Sequence, residues 1–290
     1  THLGHSFPTR RSSDLFSFLQ TAIAGSVDLR CYCLAEARRD GKLSLNLPDI
    51  AFEATWEIDD LPWDLVEPSS KAPRADSVPD AELLALFADK YVDKVQPAAV
   101  QAAQAFLYLY MNLSEGKRYV LASTSSTALA LTSFLASPAQ TFTLRSALPI
   151  GAGLGSSAAF SVCIASALLY THSHLPFPQL PVSATLHHGR RAITAEQAEV
   201  VNAWAFTAEK INHGTPSGVD NTVSTHGGAI GFTKAVKGKA GGLQGLHGFK
   251  SIRFLLTDTK VPRDTKTLVA GVARRKLQVR PFSSSPFEPD

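Results

Sequence analysis

A chain of 290 residues can bury about three quarters of its surface, enough for a core that needs no disulfide or metal. Charged residues at 18% against 44% hydrophobic exclude disorder as a global state, and 28 Lys and Arg against 25 Asp and Glu leave a surplus of +3, too small to signal nucleic acid as a partner. Cys31, Cys33 and Cys163 form neither a disulfide framework nor a Cys-x-x-Cys pair, which points to reduced thiols and a cytoplasmic chain.

From the N-terminus, Thr1–Leu15 holds no apolar segment of the secretory kind and reads as a leader apart from the domain; with Met111 the only methionine, the chain is expected to be incomplete at its start. Alternation over Ser26–Leu34, a turn at Arg39-Asp40-Gly41 and alternation over Leu43–Leu47 predict a β-hairpin, with a third strand over Phe52–Ile58. A Pro- and Ser-rich loop follows over Trp63–Pro79. Asp80 opens a helix to about Val95, and a second runs over Ala98–Leu113, where Phe106–Tyr110 read as core and helix surface. The uncharged run Tyr119–Leu144 carries too many Ser and Thr, plus Pro138, for a membrane span. Thr141–Leu148 alternates as a strand, and Ser157–Tyr170 is a helix apolar on all sides, hence buried.

After a proline-punctuated loop over His172–Pro181, Thr194 and Gln197 make a capping box for a helix to about Ile211. Gly238–Gly248 reads as a linker, Ser251–Thr257 as a strand, Asp264–Lys276 as a helix, and Leu277–Asp290, with three prolines and a serine run, as a tail. Strands and helices intermix without a strict βαβ rhythm, so the predicted class is α+β. Cys31 and Cys33 share one face of their strand and read as packing residues; His187 and His188 lack a third ligand at metal spacing.

The segment Pro149–Ala159, PIGAGLGSSAA, stands between a strand and a buried helix. Gly151, Gly153 and Gly155 permit backbone angles closed to other residues, and Ser156 and Ser157 fall at the helix start, where free N–H groups and the dipole favour an anion. No charged residue occurs from Ser146 to Gly189, so no carboxylate on this stretch would repel a polyphosphate. The plainer reading, glycines that only let strand and helix pack closely, does not account for the two serines. A P-loop would need a lysine after Gly155, and a Rossmann fingerprint a glycine in place of Ser156; neither is present.

Phosphoryl transfer from a nucleotide also needs a divalent metal and a group to accept the hydroxyl proton. On the helix from Thr194, Val201, Trp204, Ala205 and Ala208 define the apolar face, and at 100° per residue Glu209 falls about 80° from Val201 while Glu196, Glu199 and Lys210 point away. Eleven residues on, Pro216-Ser217-Gly218-Val219-Asp220-Asn221 is expected to hold Asp220 in a tight turn. A turn aspartate commonly caps its own backbone; held near Glu209 and the glycine loop it would instead accept a proton, with Mg²⁺ bridging Ser157 and Glu209 to the phosphates. His213 adjoins this turn, as a substrate neighbour or as a cap.

These residues resemble the mevalonate kinase branch of the galactose, homoserine, mevalonate and phosphomevalonate (GHMP) kinase superfamily. The loop PIGAGLGSSAA is common to the superfamily, whereas EKINHGTPSGVDNTVSTHGGAIGF (Glu209–Phe232) and LLTDTKVPRDTKTLVAGV (Leu255–Val272) are specific to the branch; the likeness covers roughly Thr21–Lys276 and diverges over Arg118–Gln140. It implies a domain like ribosomal protein S5 domain 2 over 16–232, a partial ferredoxin-like domain over 233–290 with a divergent tail at 277–290, and a leader at 1–15 outside the family. It further implies an ATP site of Asp49, Ser146, Gly151, Ala152, Gly153, Leu154, Gly155, Ser156 and Ser157, magnesium on Ser157 and Glu209, and Asp220 as the catalytic aspartate. The activity implied is ATP-dependent phosphorylation of mevalonate to 5-phosphomevalonate for isoprenoid and sterol synthesis, by a cytoplasmic homodimer.

Two family motifs have no counterpart: the strand lysine before a Gly-Glu-His segment, since the first lysine here is Lys42, and a late glycine-rich loop. Two alternatives therefore stand beside catalysis of mevalonate phosphorylation: a fragment that binds nucleotide without turning it over, and a kinase of the same superfamily acting on another small molecule.

Overall fold

The computed structural model describes residues 2–5, 21–66, 73, 77–92, 97–114, 139–177, 193–233, 241–246, 248, 253, 255, 271, 274 and 275. The strand expected over Ser251–Thr257, the helix over Asp264–Lys276, the tail and the pair His187 and His188 lie outside these residues, save isolated positions. Eight strands and five α-helices are described: β1 (His2–His5), β2 (Thr21–Ser26), β3 (Cys31–Ala37), β4 (Lys42–Leu47), β5 (Phe52–Glu57), α1 (Ala81–Leu86), α2 (Pro97–Leu113), β6 (Gln140–Ser146), α3 (Ser156–Thr171), α4 (Ala195–His213), α5 (Val219–His226), β7 (Ala229–Thr233) and β8 (Gly242–Leu246). They form two four-stranded sheets, ordered β1-β2-β7-β8 and β3-β6-β4-β5, in an α+β arrangement.

The predicted hairpin of β3 with β4 is not formed. β6 lies between them, antiparallel to β3 (Cys31 opposite Ser146) and parallel to β4 (Leu45 opposite Phe142). The segment Arg38–Gly41 must therefore cross two strand spacings, about 10 Å. Arg38 fixes the crossing: its backbone N–H donates to the Ala139 carbonyl at 2.7 Å, and its guanidinium donates to Ser44 Oγ on β4 at 2.9 Å and Thr141 Oγ1 on β6 at 3.0 Å. The true hairpin is β4 with β5, closed by a 3₁₀ turn over Pro48–Ile50 that ends on Ala51 at φ 51°.

Alternation places Cys31, Cys33 and Ala35 against the core and leaves Tyr32 and Leu34 exposed, so the shared face of the two cysteines is a packing face. The glycine-rich segment read as a linker contains β8, paired antiparallel with β7. β8 follows residue 232 and β1 lies within 1–15, yet both hydrogen-bond into the sheet of β2 and β7.

Local signals account for the helix starts. Asp80 caps α1 by accepting from the amides of Glu82 and Leu83, and Thr194 and Gln197 form both halves of the capping box on α4. α2, α3 and α4 meet over the inner face of the β3-β6-β4-β5 sheet. Phe106, Leu107, Leu109, Tyr110 and Met111 of α2, Ile164, Ala165 and Leu168 of α3, and Leu43, Leu45 and Phe142 of the sheet have no exposed surface. Each large apolar side chain so buried contributes about 1.5–3 kcal/mol. A second, smaller cluster of Ala24, Val219, Val223 and Ile230 joins α5 to the other sheet.

Candidate active site

Ser146 ends β6 and organises the entry to the glycine loop: its Oγ accepts from the Leu148 amide at 3.1 Å and its own amide donates to Asp49 Oδ2 at 2.7 Å. Arg145 Nη1 lies 3.7 Å from the other Asp49 oxygen. Gly151, Gly153 and Gly155 all take φ 75°, in the left-handed region. A Cβ at Gly151 or Gly153 would meet no atom within 4 Å, so the requirement there is conformational. Gly155 is the N-cap of α3 and supplies no side-chain cap, which leaves the first-turn amides facing an electropositive helix end.

Below this end Glu209 of α4 is 3% exposed. Its carboxylate accepts from Ser161 Oγ at 2.9 Å and from Ser157 Oγ at 3.4 Å, and His213 Nε2 sits 3.0 Å from Ser157 Oγ and 3.7 Å from Glu209. Burial pushes the Glu209 carboxyl above its ordinary range; His213, Ser161 and Asn212 oppose the shift, and the charge of Asp220 adds to it. Asp220 is half-buried, and burial raises its carboxyl too, with His213 opposing.

Asp220 is not held in a turn: the turn ends at Gly218, the N-cap of α5 at φ 79°, and Asp220 is in the first helical turn, where the dipole suits a carboxylate. Asn221 next to it is 2% exposed and donates to Asn202 Oδ1 of α4 at 2.7 Å, tying the two helices.

A cavity of about 140 Å³ opens beside the helix start. Leu47, Ile50, Ala102, Leu144 and Phe160 give it apolar walls, and Asp49, Ser146, Ser156, Ser157 and His213 supply polar edges. Of the predicted site residues, Asp49, Ser146, Ser156 and Ser157 line it; Gly151, Ala152, Gly153, Leu154, Gly155, Glu209 and Asp220 do not, although Glu209 is linked to it through Ser157 and His213.

Among the described residues no group of three or more His, Cys, Asp or Glu could hold a metal ion. Glu209 and Ser157 nonetheless suit Mg²⁺: both offer hard oxygen donors, and a buried carboxylate with a raised pKa is a charge in need of a cation.

Sequence reasoning missed Ser161, Arg145 and Asn212 and left His213 between two roles. A signal existed for two of them, since Ser161 stands four residues from Ser157 on α3 and His213 four from Glu209 on α4, spacings that stack side chains on one helix face.

Residues 118–228, which include the glycine loop, Glu209 and Asp220, match the family described as GHMP kinases N terminal domain. Over about nine tenths of its length it is similar to mevalonate kinases. It is 35% identical to that of Candida albicans over 276 residues (91% of this chain, 58% of that protein) and 36% identical to that of Bos taurus over 265 residues (89% and 58%). A crystal structure of L. major mevalonate kinase in complex with R-mevalonate aligns at a TM-score of 0.44 and 18% identity, over 89% of this chain and 55% of that one. The chain thus spans about 58% of the length of the curated relatives it matches. Among the described residues no helix is long and apolar enough to cross a membrane.

Proposed function

We propose that the chain is the nucleotide-binding part of a mevalonate kinase, which transfers the γ-phosphoryl group of ATP to the C5 hydroxyl of mevalonate in the cytoplasm, as a homodimer. The observation that carries this reading is Ser157 at an uncapped helix start, in contact at once with a buried carboxylate, Glu209, and with the edge of a cavity. Loop amides over Gly151–Ser157 hold the phosphates, Asp49 and Ser146 meet the nucleoside, and Asp220 accepts the hydroxyl proton. Mg²⁺ on Ser157 and Glu209, when bound, neutralises charge on the β- and γ-phosphates. The S5-like and ferredoxin-like domains, over 16–232 and 233–290, belong to this reading with two adjustments: β8 pairs with β7 and β1 with β2, so the sheet of β2 and β7 draws strands from both sides of 16–232.

Release of ADP from the full chain, followed with ATP and mevalonate present, tests it. Sustained mevalonate-dependent turnover is expected, and Asp220→Ala lowers it by roughly 10²–10⁴-fold while leaving binding of a fluorescent ATP analogue unchanged. Turnover equal to wild type removes Asp220 from the mechanism. Nucleotide binding without turnover supports the second reading, a binding fragment, which is favoured by the lack of a lysine among the described cavity-lining residues. Turnover on galactose, homoserine or phosphomevalonate alone redirects the substrate within the superfamily.

A further inference from the structure

The two oxygens of the Glu209 carboxylate have different surroundings. Oε2 accepts from Ser157 Oγ at 3.4 Å and lies 3.7 Å from Nε2 of His213; both of those residues line the cavity. Oε1 is tied to α3 instead, accepting from Ser161 Oγ at 2.9 Å. Ser161 has no exposed surface and does not line the cavity. It stands one turn after Ser157 on α3, so the two hydroxyls share a helix face and meet the carboxylate at different oxygens.

A hydroxyl inside a helix commonly bonds back to the carbonyl four residues earlier, as Ser166 does to Val162 at 2.7 Å and Thr171 to Ala167 at 2.8 Å on this same helix. Ser161 has one proton to donate, and it goes to Glu209.

We propose, resting on the reading of Ser157 and Glu209 as the magnesium site, that Ser161 is a positioning residue that sets the cation preference of that site: by holding Oε1 it leaves Oε2 as the one oxygen of Glu209 open to a metal ion. A contact through one oxygen suits Mg²⁺, which is small, takes near-ideal octahedral geometry and keeps several waters. Ca²⁺ takes about six to eight oxygens at longer distances and readily accepts both oxygens of one carboxylate. A Glu209 freed from Ser161 can turn and present both, and the discrimination between the two ions is lost. Because Ser161 stands behind Glu209, it acts on the cation only through that carboxylate.

The dissociation constant of a fluorescent ATP analogue for the full chain, measured in excess Mg²⁺, in excess Ca²⁺ and with EDTA, tests the assignment without turnover. Wild type should bind most tightly with Mg²⁺ and most weakly with EDTA. Ser161→Ala should weaken binding in Mg²⁺ by about tenfold or more, the scale of a lost partner to a metal-holding group, while binding in Ca²⁺ holds or tightens, so the preference shrinks or inverts. Ser161→Cys, of similar size and a weaker donor, should move the preference the same way by less, and it carries the test where the alanine variant does not fold. A variant with wild-type circular dichroism whose binding weakens equally in both cations, or whose preference is unchanged, would overturn the assignment and leave Ser161 a structural hydroxyl only, with the magnesium site intact. Wild-type binding that is as tight in EDTA as in Mg²⁺ would overturn the magnesium site and the role of Ser161 with it.

Discussion

A carboxylate only 3% exposed, as Glu209 is, forfeits most of its hydration, and the hydroxyls of Ser161 and Ser157 replace only part of it. Its folded-state pKa is raised above the ordinary 4.5, so the native chain holds this proton more tightly than the unfolded chain does. Stability from this group is fully present below 4.5 and is lost as pH rises through the folded value. Glu209→Gln keeps an acceptor for Ser161 and removes the charge. At pH 7 it should raise the urea midpoint while abolishing Mg²⁺-dependent nucleotide binding, and a lowered midpoint would show that the charge stabilises the fold. The glycine loop obeys a different constraint. Gly153 is at φ 75° with open space around it, so Gly153→Ala costs about 1–2 kcal/mol through the backbone alone. The variant should weaken binding of the ATP analogue, and Gly153→Asn, better tolerated in the left-handed region, should weaken it less.

Between elements, the position of Asp220 depends on how α5 lies on α4, and Asn202 joins the two by accepting from Asn221 at 2.7 Å and donating to Thr222 Oγ1 at 3.4 Å. Asn202→Ala leaves a buried amide on Asn221 without its acceptor, at a cost of about 1–3 kcal/mol. Because the amide adjoins Asp220, the variant should lose kcat more than it loses ATP affinity; equal losses in both would mark a general loosening. The helices that meet here are legible in the sequence because capping and periodicity are local: Asp80, Thr194 and Gln197 cap where expected, and Glu209, near the apolar arc, is buried while Glu196 and Glu199, opposite it, are exposed. Strand partners are not local. Alternation read over Ser26–Leu34 and Leu43–Leu47 assigns the faces of Cys31–Leu34 and turns Leu43, Leu45 and Leu47 inward, though Ser44 is buried as well. Nothing in it tells that β6, about a hundred residues later, inserts between the two strands. Pairing with β7 likewise makes a strand of Gly242–Leu246, whose glycines argue against one. In Val219–His226 the signal was outweighed by the turn residues before it, although Gly218 supplies the N-cap.

At the scale of the molecule the candidate site straddles two hydrophobic clusters: Glu209 rides on α4 in the main core, while Asp220 rides on α5, whose Val219 and Val223 pack with Ala24 of β2 and Ile230 of β7. Global stability therefore bears on the distance between the two carboxylates, and a histidine whose ring nitrogen is sealed from solvent adds its own dependence on pH. His172 follows α3, roughly 22 Å along the helix from Ser157. Its ring meets Tyr110 edge-on, its Nε2 is sealed from solvent with no hydrogen-bond partner among the described residues, and burial, with a smaller contribution from His174, pushes its pKa down to about 3 from 6.5. The folded chain keeps this histidine neutral where the unfolded chain is protonated. The stability contributed by this histidine is thus fully present above pH 6.5 and falls by about 1.4 kcal/mol per unit as pH drops toward 3. Urea unfolding at pH 7 and pH 5 should show the loss, and His172→Phe, which keeps an aromatic ring against Tyr110 and removes the unpartnered nitrogen, should flatten it without altering ATP-analogue binding at pH 7. An equally steep decline in the variant would place the sensitivity elsewhere in the chain.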